Sequence, residues 1–241
     1  MEMLQSHEFW IGLLKIIWVN LILSGDNAVV IALAARSLPP KQQKLAIFWG
    51  SGAAVGLRIV LTLFAVALLT LPYLKLIGAA LLLWIGIQLL TPDDGDADIE
   101  SSDNLYAAIK TILIADLVMS LDNVIGVAAA AKGNVVLLIL GLAISIPLVI
   151  FGSTLLLKLM ERAPIIITLG AALLGYVAGE MAESDPASAD WVAANVPFHT
   201  FHLVPGILEI SLLGLIGAVI VVGTGKWITH RKEQAHGKGR A

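Results

Sequence analysis

The stretch "NLILSGDNAVVIALAAR", Asn20 to Arg36, decides how the rest of the chain is read. It is apolar enough for a membrane-spanning helix, yet Ser24, Asp26 and Asn27 sit at its centre. A second stretch, "ADLVMSLDNVIGVAAAAK", Ala115 to Lys132, repeats the arrangement. A carboxylate in hydrocarbon costs ~3 kcal/mol on insertion scales, so each one needs a partner, a proton or a cation.

The surrounding composition fixes the class. Of 241 residues, 58% are hydrophobic and only 14% charged, with a mean hydropathy of +0.90. These values point to a polytopic membrane protein rather than a soluble one. The absence of cysteine excludes disulfides and thiolate metal sites, so a metal centre here would use oxygen or imidazole ligands. No cleavable signal peptide is expected: "MEMLQSHEFW" carries Glu2 and Glu8 and no basic n-region, and the apolar run after it is long enough to span.

Working outward, a span needs ~20 apolar residues. Seven stretches qualify, at about 8–35, 45–70, 73–91, 104–131, 134–158, 164–183 and 206–228. "LPPKQQK", Pro72, "TPDDGDADIESSDN" and Pro164 separate them. With the N-terminus outside, eleven of the Lys and Arg residues fall on cytoplasmic segments and only Lys75 and Lys132 on external ones. The positive-inside rule therefore places the N-terminus outside and the C-terminus inside.

The first and fourth spans align at a shift of 96 residues, pairing Asn20 with Asp116, Ser24 with Ser120, Asp26 with Asp122, Asn27 with Asn123 and Arg36 with Lys132. At a shift of 92, Pro72 falls on Pro164, "GAALLLWIGIQLL" (78–90) on "GAALLGYVAGEMA" (170–182), and Gln88 on Glu180. Three spans per copy is odd, so the second copy enters the membrane from the opposite side. Inverted repeats of this kind are common in transporters, whose binding sites lie near the midplane. The expected fold is all-α: seven transmembrane helices, built as two inverted three-helix repeats (1–92 and 104–183) plus a seventh helix (206–228). An acidic cytoplasmic linker (93–103), an external loop (184–205) and a basic cytoplasmic tail (229–241) complete the chain.

At ~100° per residue, Asn20, Ser24 and Asn27 share one helical stripe, and Asp116, Ser120 and Asn123 share its counterpart. Asp26 and Asp122 lie beside these stripes, and a break at Gly25 would let them turn toward a common centre. With Asp116 and Glu180 added, the ligand set is anionic and all-oxygen, suited to a hard divalent ion such as manganese, magnesium or calcium. An organic cation would want an aromatic cage, whereas the six tryptophans lie mostly nearer span ends, as interfacial anchors do. Against this stands the reading that the polar groups only hydrogen-bond between helices, the usual explanation for a lone Asn or Ser in a span.

Arg58 lies mid-span in the second helix, and its repeat position holds Val149 or Ile150. It is either a structural ion pair with an aspartate or a built-in cation that balances the carboxylates of an empty site. Glu180, near the outer end of the sixth span, fits a ligand, a gate or a snorkelling carboxylate. His199 and His202 form an HxxH in the external loop, a weak metal signal without a carboxylate beside it. The tail "HRKEQAHGKGR" reads as a topology signal lying on anionic lipid.

With these residues laid out, the chain resembles the TerC family of integral membrane proteins, in the wider LysE-like transporter superfamily. The resemblance covers nearly the whole length and rests on "SGDNAVVIALAAR", "ADLVMSLDNVIGVAAAA" and "GYVAGEMAESDP". It implies seven helices in the bacterial inner membrane and, in characterised branches, manganese efflux. It also implies a metal site of Asp26, Asn27, Asp122 and Asn123, with Asp116 and Glu180 as additions. Some relatives are named for tellurite resistance, a label that fits a cationic site poorly.

The leading expectation is therefore export of Mn2+ (with Ca2+ or Mg2+ as alternatives) by alternating access, coupled to protons. The alternative is a non-transporting membrane metal sensor or scaffold. No G-x-x-x-x-G-K-[ST] motif is present, so ATP hydrolysis is not expected. An intramembrane aspartyl protease would want a GxGD motif with a YD partner, and neither occurs in that form. No tightly bound cofactor, no enzymatic activity and no nucleic-acid partner are expected; the partners are the cation and the bilayer, with a homo-oligomer left open.

Overall fold

The first predicted span is broken at its polar centre. In the computed structural model, which describes residues 7–64, 68, 71–91, 101–131, 134–196, 200–204 and 208–238, helix α1 (His7–Leu23) stops before Ser24. Helix α2 (Gly25–Ala35) leaves at 52° to it. Ser24 makes no capping bond to α2, because its hydroxyl is committed elsewhere. A half-helix exposes unpaired backbone groups at its end, which the bilayer tolerates only inside protein. Accordingly α2 is enclosed: Asn27, Ala28 and Val30 through Ala35 are all buried.

The remaining elements follow the breakers in the sequence. Helix α3 (Pro40–Leu63) starts at a proline in its first position, where the missing N–H costs nothing. After it come α4 (Leu74–Leu90), α5 (Ser101–Ala131), α6 (Val135–Arg162), α7 (Ile165–Ser184) and the short α8 (Ala189–Asn195). A two-stranded antiparallel hairpin, β1 (Thr200–Val204) with β2 (Leu208–Ser211), precedes α9 (Leu212–Lys238).

By length and composition, five described helices can cross a membrane, or six if the bent α1–α2 pair is one crossing. The third predicted span is α4, an apolar helix of 17 residues. At 1.5 Å per residue that is about 26 Å, short of the ~30 Å hydrocarbon core. The chain is thus an all-α membrane protein. The hairpin stands where the sequence reading had external loop and the start of the last helix. Alternation around "TFHLV" was masked there by the flanking proline and glycine. The acidic 93–103 linker and His199 lie outside or mostly outside the described residues, and of His202 only the β1 backbone position is described.

The helices form two compact units. The first holds α1, α2, α3, α5 and α6; the second holds α4, α7, α8, the hairpin and α9. Each draws helices from both of the repeats read in the sequence. In the first unit α3 lies along α5, and α1 and α2 also pack on α5. Phe9, Leu13 and Ile16 of α1 meet Val127 and Ala131 of α5 and Leu137, Leu138 and Leu142 of α6. Outward, α6 presents Ile139, Ile144, Phe151 and Leu155, each more than 40% exposed. That pattern suits lipid and not water.

In the second unit α7 packs against both α4 and α9. Its contact with α9 is backbone on backbone: a Cβ at Gly175 would lie 2.4 Å from the Gly217 carbonyl oxygen, and one at Gly179 would lie 2.0 Å from that of Leu213. Small residues let membrane helices approach this closely. Ser211 caps α9, its Oγ accepting the Gly214 N–H at 2.9 Å and donating to Glu183 at 2.5 Å. The Tyr176 hydroxyl accepts the Ser211 N–H at 3.0 Å.

Candidate cation site

Continuous helix along α5 divides the predicted ligands into two levels. Asp116 and Asn123 are seven residues apart, about 10.5 Å along the axis. The structure gives each level different neighbours.

At the level of Asp116 the partner is Arg58. Its guanidinium is 3% exposed and makes four hydrogen bonds. Nη2 donates to Asp116 Oδ1 at 2.5 Å, an ion pair buried on both sides. Nη1 donates to Asn20 Oδ1 and to Ser24 Oγ, each at 2.7 Å, and Nε donates to Ser120 Oγ at 3.0 Å. Ser24 donates onward to Asn20 Oδ1 at 3.3 Å, and Ser120 to Asp116 Oδ2 at 3.2 Å. Both repeat-matched stripes, Asn20/Ser24 and Asp116/Ser120, therefore converge on one arginine. Arg58 is thus paired with an aspartate, as both readings open for it in the sequence require. A planar fork of fixed donors suits such a junction better than the point charge of a lysine.

At the level of the break the environment changes. Asp26, half-buried in the first turn of α2, accepts the Asn27 N–H at 2.7 Å. Negative charge there also faces the positive end of the α2 dipole. Asn27 is 2% exposed, and neither its amide oxygen nor its amide nitrogen has a partner. A buried amide left this way costs about 1–3 kcal/mol. Asn123 donates its Nδ2 to the Leu23 carbonyl at 2.8 Å, at the very end of α1. That bond uses the donor end of the amide. Asp122 is on α5 beside Asn123; its side chain lies outside the described residues. Asp26 remains within electrostatic reach of Arg58 and Asp116.

Glu180 belongs to the other unit. It is an exposed residue of α7 near the Tyr176 hydroxyl, with Glu183 one turn further. Among the described residues no three His, Asp or Glu side chains gather as a ready-made metal cluster. What the first unit offers is a mixed set, carboxylate and amide, around a broken helix.

One buried carboxylate escaped the sequence reading. Asp185, just past the end of α7, is fully covered and accepts the N–H groups of Tyr73 at 2.9 Å, Lys75 at 3.0 Å, Leu76 at 3.2 Å and Ala187 at 2.7 Å. Burial pushes its carboxyl up, but these four donors outweigh burial and hold it below the ordinary carboxylate value. It caps α4 from another element, at an N-terminus whose own residue, Tyr73, has φ 67° and no capping side chain. The only trace in the sequence is that "SDP" ends a helix with a turn-forming acid.

Comparisons agree with this architecture. The family model described as "Integral membrane protein TerC family" matches residues 5–234. The chain is 48% identical over 181 residues to the uncharacterized membrane protein YjbE of Bacillus subtilis, covering 75% of this chain and 83% of that one. It is 25% identical over 236 residues to YkoY of the same organism, covering 89% and 71%. It is also similar, at 26% over 194 residues, to the UPF0053 inner membrane protein YoaE of Escherichia coli, of which 37% is covered. No solved structure matches. The chain is a multi-pass integral membrane protein of the TerC family.

Proposed function

We propose that this chain exports a hard divalent cation, manganese, across the bacterial inner membrane by alternating access. The observation that carries the reading is Asn27: a fully buried amide with both polar atoms unpartnered, beside a carboxylate, at the break of a membrane helix. A ligand that completes the amide would offset the cost of burying it unpaired. The cargo ligands are Asp26, Asn27, Asp122 and Asn123, two from each repeat. Oxygen donors of this type favour Mn2+, Mg2+ or Ca2+ over softer metals. The protein is a carrier, seven-spanning and inverted-repeat in layout, with its N-terminus outside and C-terminus inside; it performs no covalent chemistry.

Expelling a divalent cation against 100 mV, inside negative, costs about 4.6 kcal/mol. Protons supply it: as the ion leaves outward, protons take its place on the two aspartates, and they are lost again when the site faces the cytoplasm. The test is Mn2+ flux in vesicles of purified protein. Wild type should transport, faster with a proton gradient, and Asp26→Ala and Asp122→Ala should each abolish flux. Wild-type activity in both variants would sink the site, and flux indifferent to the gradient would sink the coupling. Competition by Ca2+ and Mg2+ ranks the ions.

A further inference from the structure

The resemblance to the family places Asp116 among the metal ligands; the hydrogen bonds assign it to another task. Its Oδ1 is held by Arg58 and its Oδ2 by Ser120, and the pair is buried on both sides. Arg58 is further fixed by Asn20 and Ser24, so the guanidinium is anchored in four places and cannot swing aside cheaply. Asn123, whose Nδ2 reaches the Leu23 carbonyl at the break, lies about 10 Å along the α5 axis from Asp116. Oxygen ligands of one Mn2+ lie within a few ångströms of each other, so an intact α5 does not bring Asp116 and Asn123 to the same ion.

We propose that Arg58 and Asp116 form an electrically neutral layer that takes no part in binding cargo and fixes the charge of the cargo site at that of its two remaining aspartates, Asp26 and Asp122. Arg58 is thereby a specificity-determining residue. With Asp116 cancelled, the site carries two negative charges and matches a divalent ion. The cancellation of Arg58 by Asp116 is as important to the site as the presence of Arg58. This rests on the transport reading above.

The two roles of Asp116 predict opposite behaviour in a pair of variants. Asp116→Asn strips Arg58 of its counter-ion and leaves a bare positive charge within electrostatic reach of Asp26. Coulomb's law at an effective dielectric of about 20 then weakens Mn2+ binding tenfold or more. A trivalent probe is weakened further, because its third charge feels the same repulsion. Removing the arginine as well, in Arg58→Gln/Asp116→Asn, takes the repulsion away. The experiment titrates wild type and both variants in nanodiscs with Mn2+ and with Tb3+, and follows Mn2+ flux in vesicles. The expected result is loss of affinity in Asp116→Asn, a fall of roughly tenfold in the Tb3+-to-Mn2+ affinity ratio, and recovery of both to within about threefold of wild type in the double variant.

If the double variant binds as weakly as Asp116→Asn, Asp116 is a ligand and the proposal is overturned. It is also overturned if Asp116→Asn binds like wild type. Should Asp116→Asn fail to fold, the charge-neutral double variant alone decides: wild-type affinity and ratio support the neutral layer, and lost binding rejects it. Wild type that neither binds nor carries Mn2+ instead rejects the transport reading beneath, which keeps the two failures apart.

Discussion

Asp185→Ala removes the carboxylate on which the start of α4 depends. Its Oδ1 serves the N–H groups of Tyr73 and Ala187, and its Oδ2 those of Lys75 and Leu76. A hydrogen bond to a charged group contributes about 1.5–3 kcal/mol. Four of them would reach about 6 kcal/mol or more if taken at face value, but hydrogen-bond contributions do not add and water can enter the space a deleted carboxylate leaves. A destabilisation of about 3–5 kcal/mol is expected after that discount. Asp185→Asn keeps one acceptor oxygen and sets an NH2 against two donors, so it should cost about 2–3 kcal/mol.

Tyr73 adds leverage, because its left-handed backbone (φ 67°) is unfavourable for a non-glycine residue and the bond to Asp185 helps hold it. Hydrogen exchange of the purified protein should show faster exchange at Tyr73, Lys75 and Leu76 in Asp185→Ala, with exchange in α1–α3 unchanged. The pH dependence has a definite sign. The folded carboxyl sits below its ordinary value, so its stabilisation is fully present above the ordinary aspartate range and fades as pH falls through the lowered folded value. Asp185→Ala should flatten that acid limb. Unchanged exchange at Tyr73–Leu76 together with an unchanged acid limb would refute the capping argument.

Two further outcomes are expected. Asn27→Leu should stabilise the purified protein by about 1–3 kcal/mol, since it replaces an unpartnered buried amide by an apolar group of similar size, while abolishing Mn2+ flux; a thermal-unfolding midpoint that falls, or flux that survives, would mean the amide is structural. Gly179→Val should wreck the α7–α9 contact, because its Cβ would lie 2.0 Å from the Leu213 carbonyl oxygen with backbone on both sides; loss of monodisperse protein in detergent is the readout, and normal behaviour would show that the helices can part.

The spans and breaks were legible because they rest on properties a single residue carries. Hydropathy located the helices and the polar run at Ser24–Asn27 marked the bend between α1 and α2, whereas "LPPKQQK", read as a separator before a span at 45, supplies the first turn of α3 from Pro40. The repeat made the polar groups recognisable as a pair of stripes. What sequence could not supply was partnership. Asn20, Ser24, Asp116 and Ser120 lie on the right faces of α1 and α5, but that they all turn to Arg58 depends on α3 lying along α5, a packing fact with no local signature. Asp185 was hidden for the same reason, since its partners Tyr73 to Leu76 are more than 100 residues away.

The two levels of the first unit also differ in how complete they are, and that contrast bears on what moves. Among the described residues around Arg58 the polar groups are paired except the Asn20 Nδ2. Breaking a buried pair of this kind by deleting one partner costs about 3–5 kcal/mol, which makes the level a rigid joint between α1, α3 and α5. At the break, by contrast, Asn27 is unsatisfied and α2 has no side-chain cap. A half-helix set off by a break can move as a unit, and a cation that completes Asn27 would favour one position over another. Motion should therefore concentrate in α2 rather than in the Arg58 joint. Hydrogen exchange with and without Mn2+ would locate it: protection gained in Gly25–Ala35 and not in the stretch of α3 around Arg58 is the expected pattern, and the reverse pattern would place the moving part at the joint.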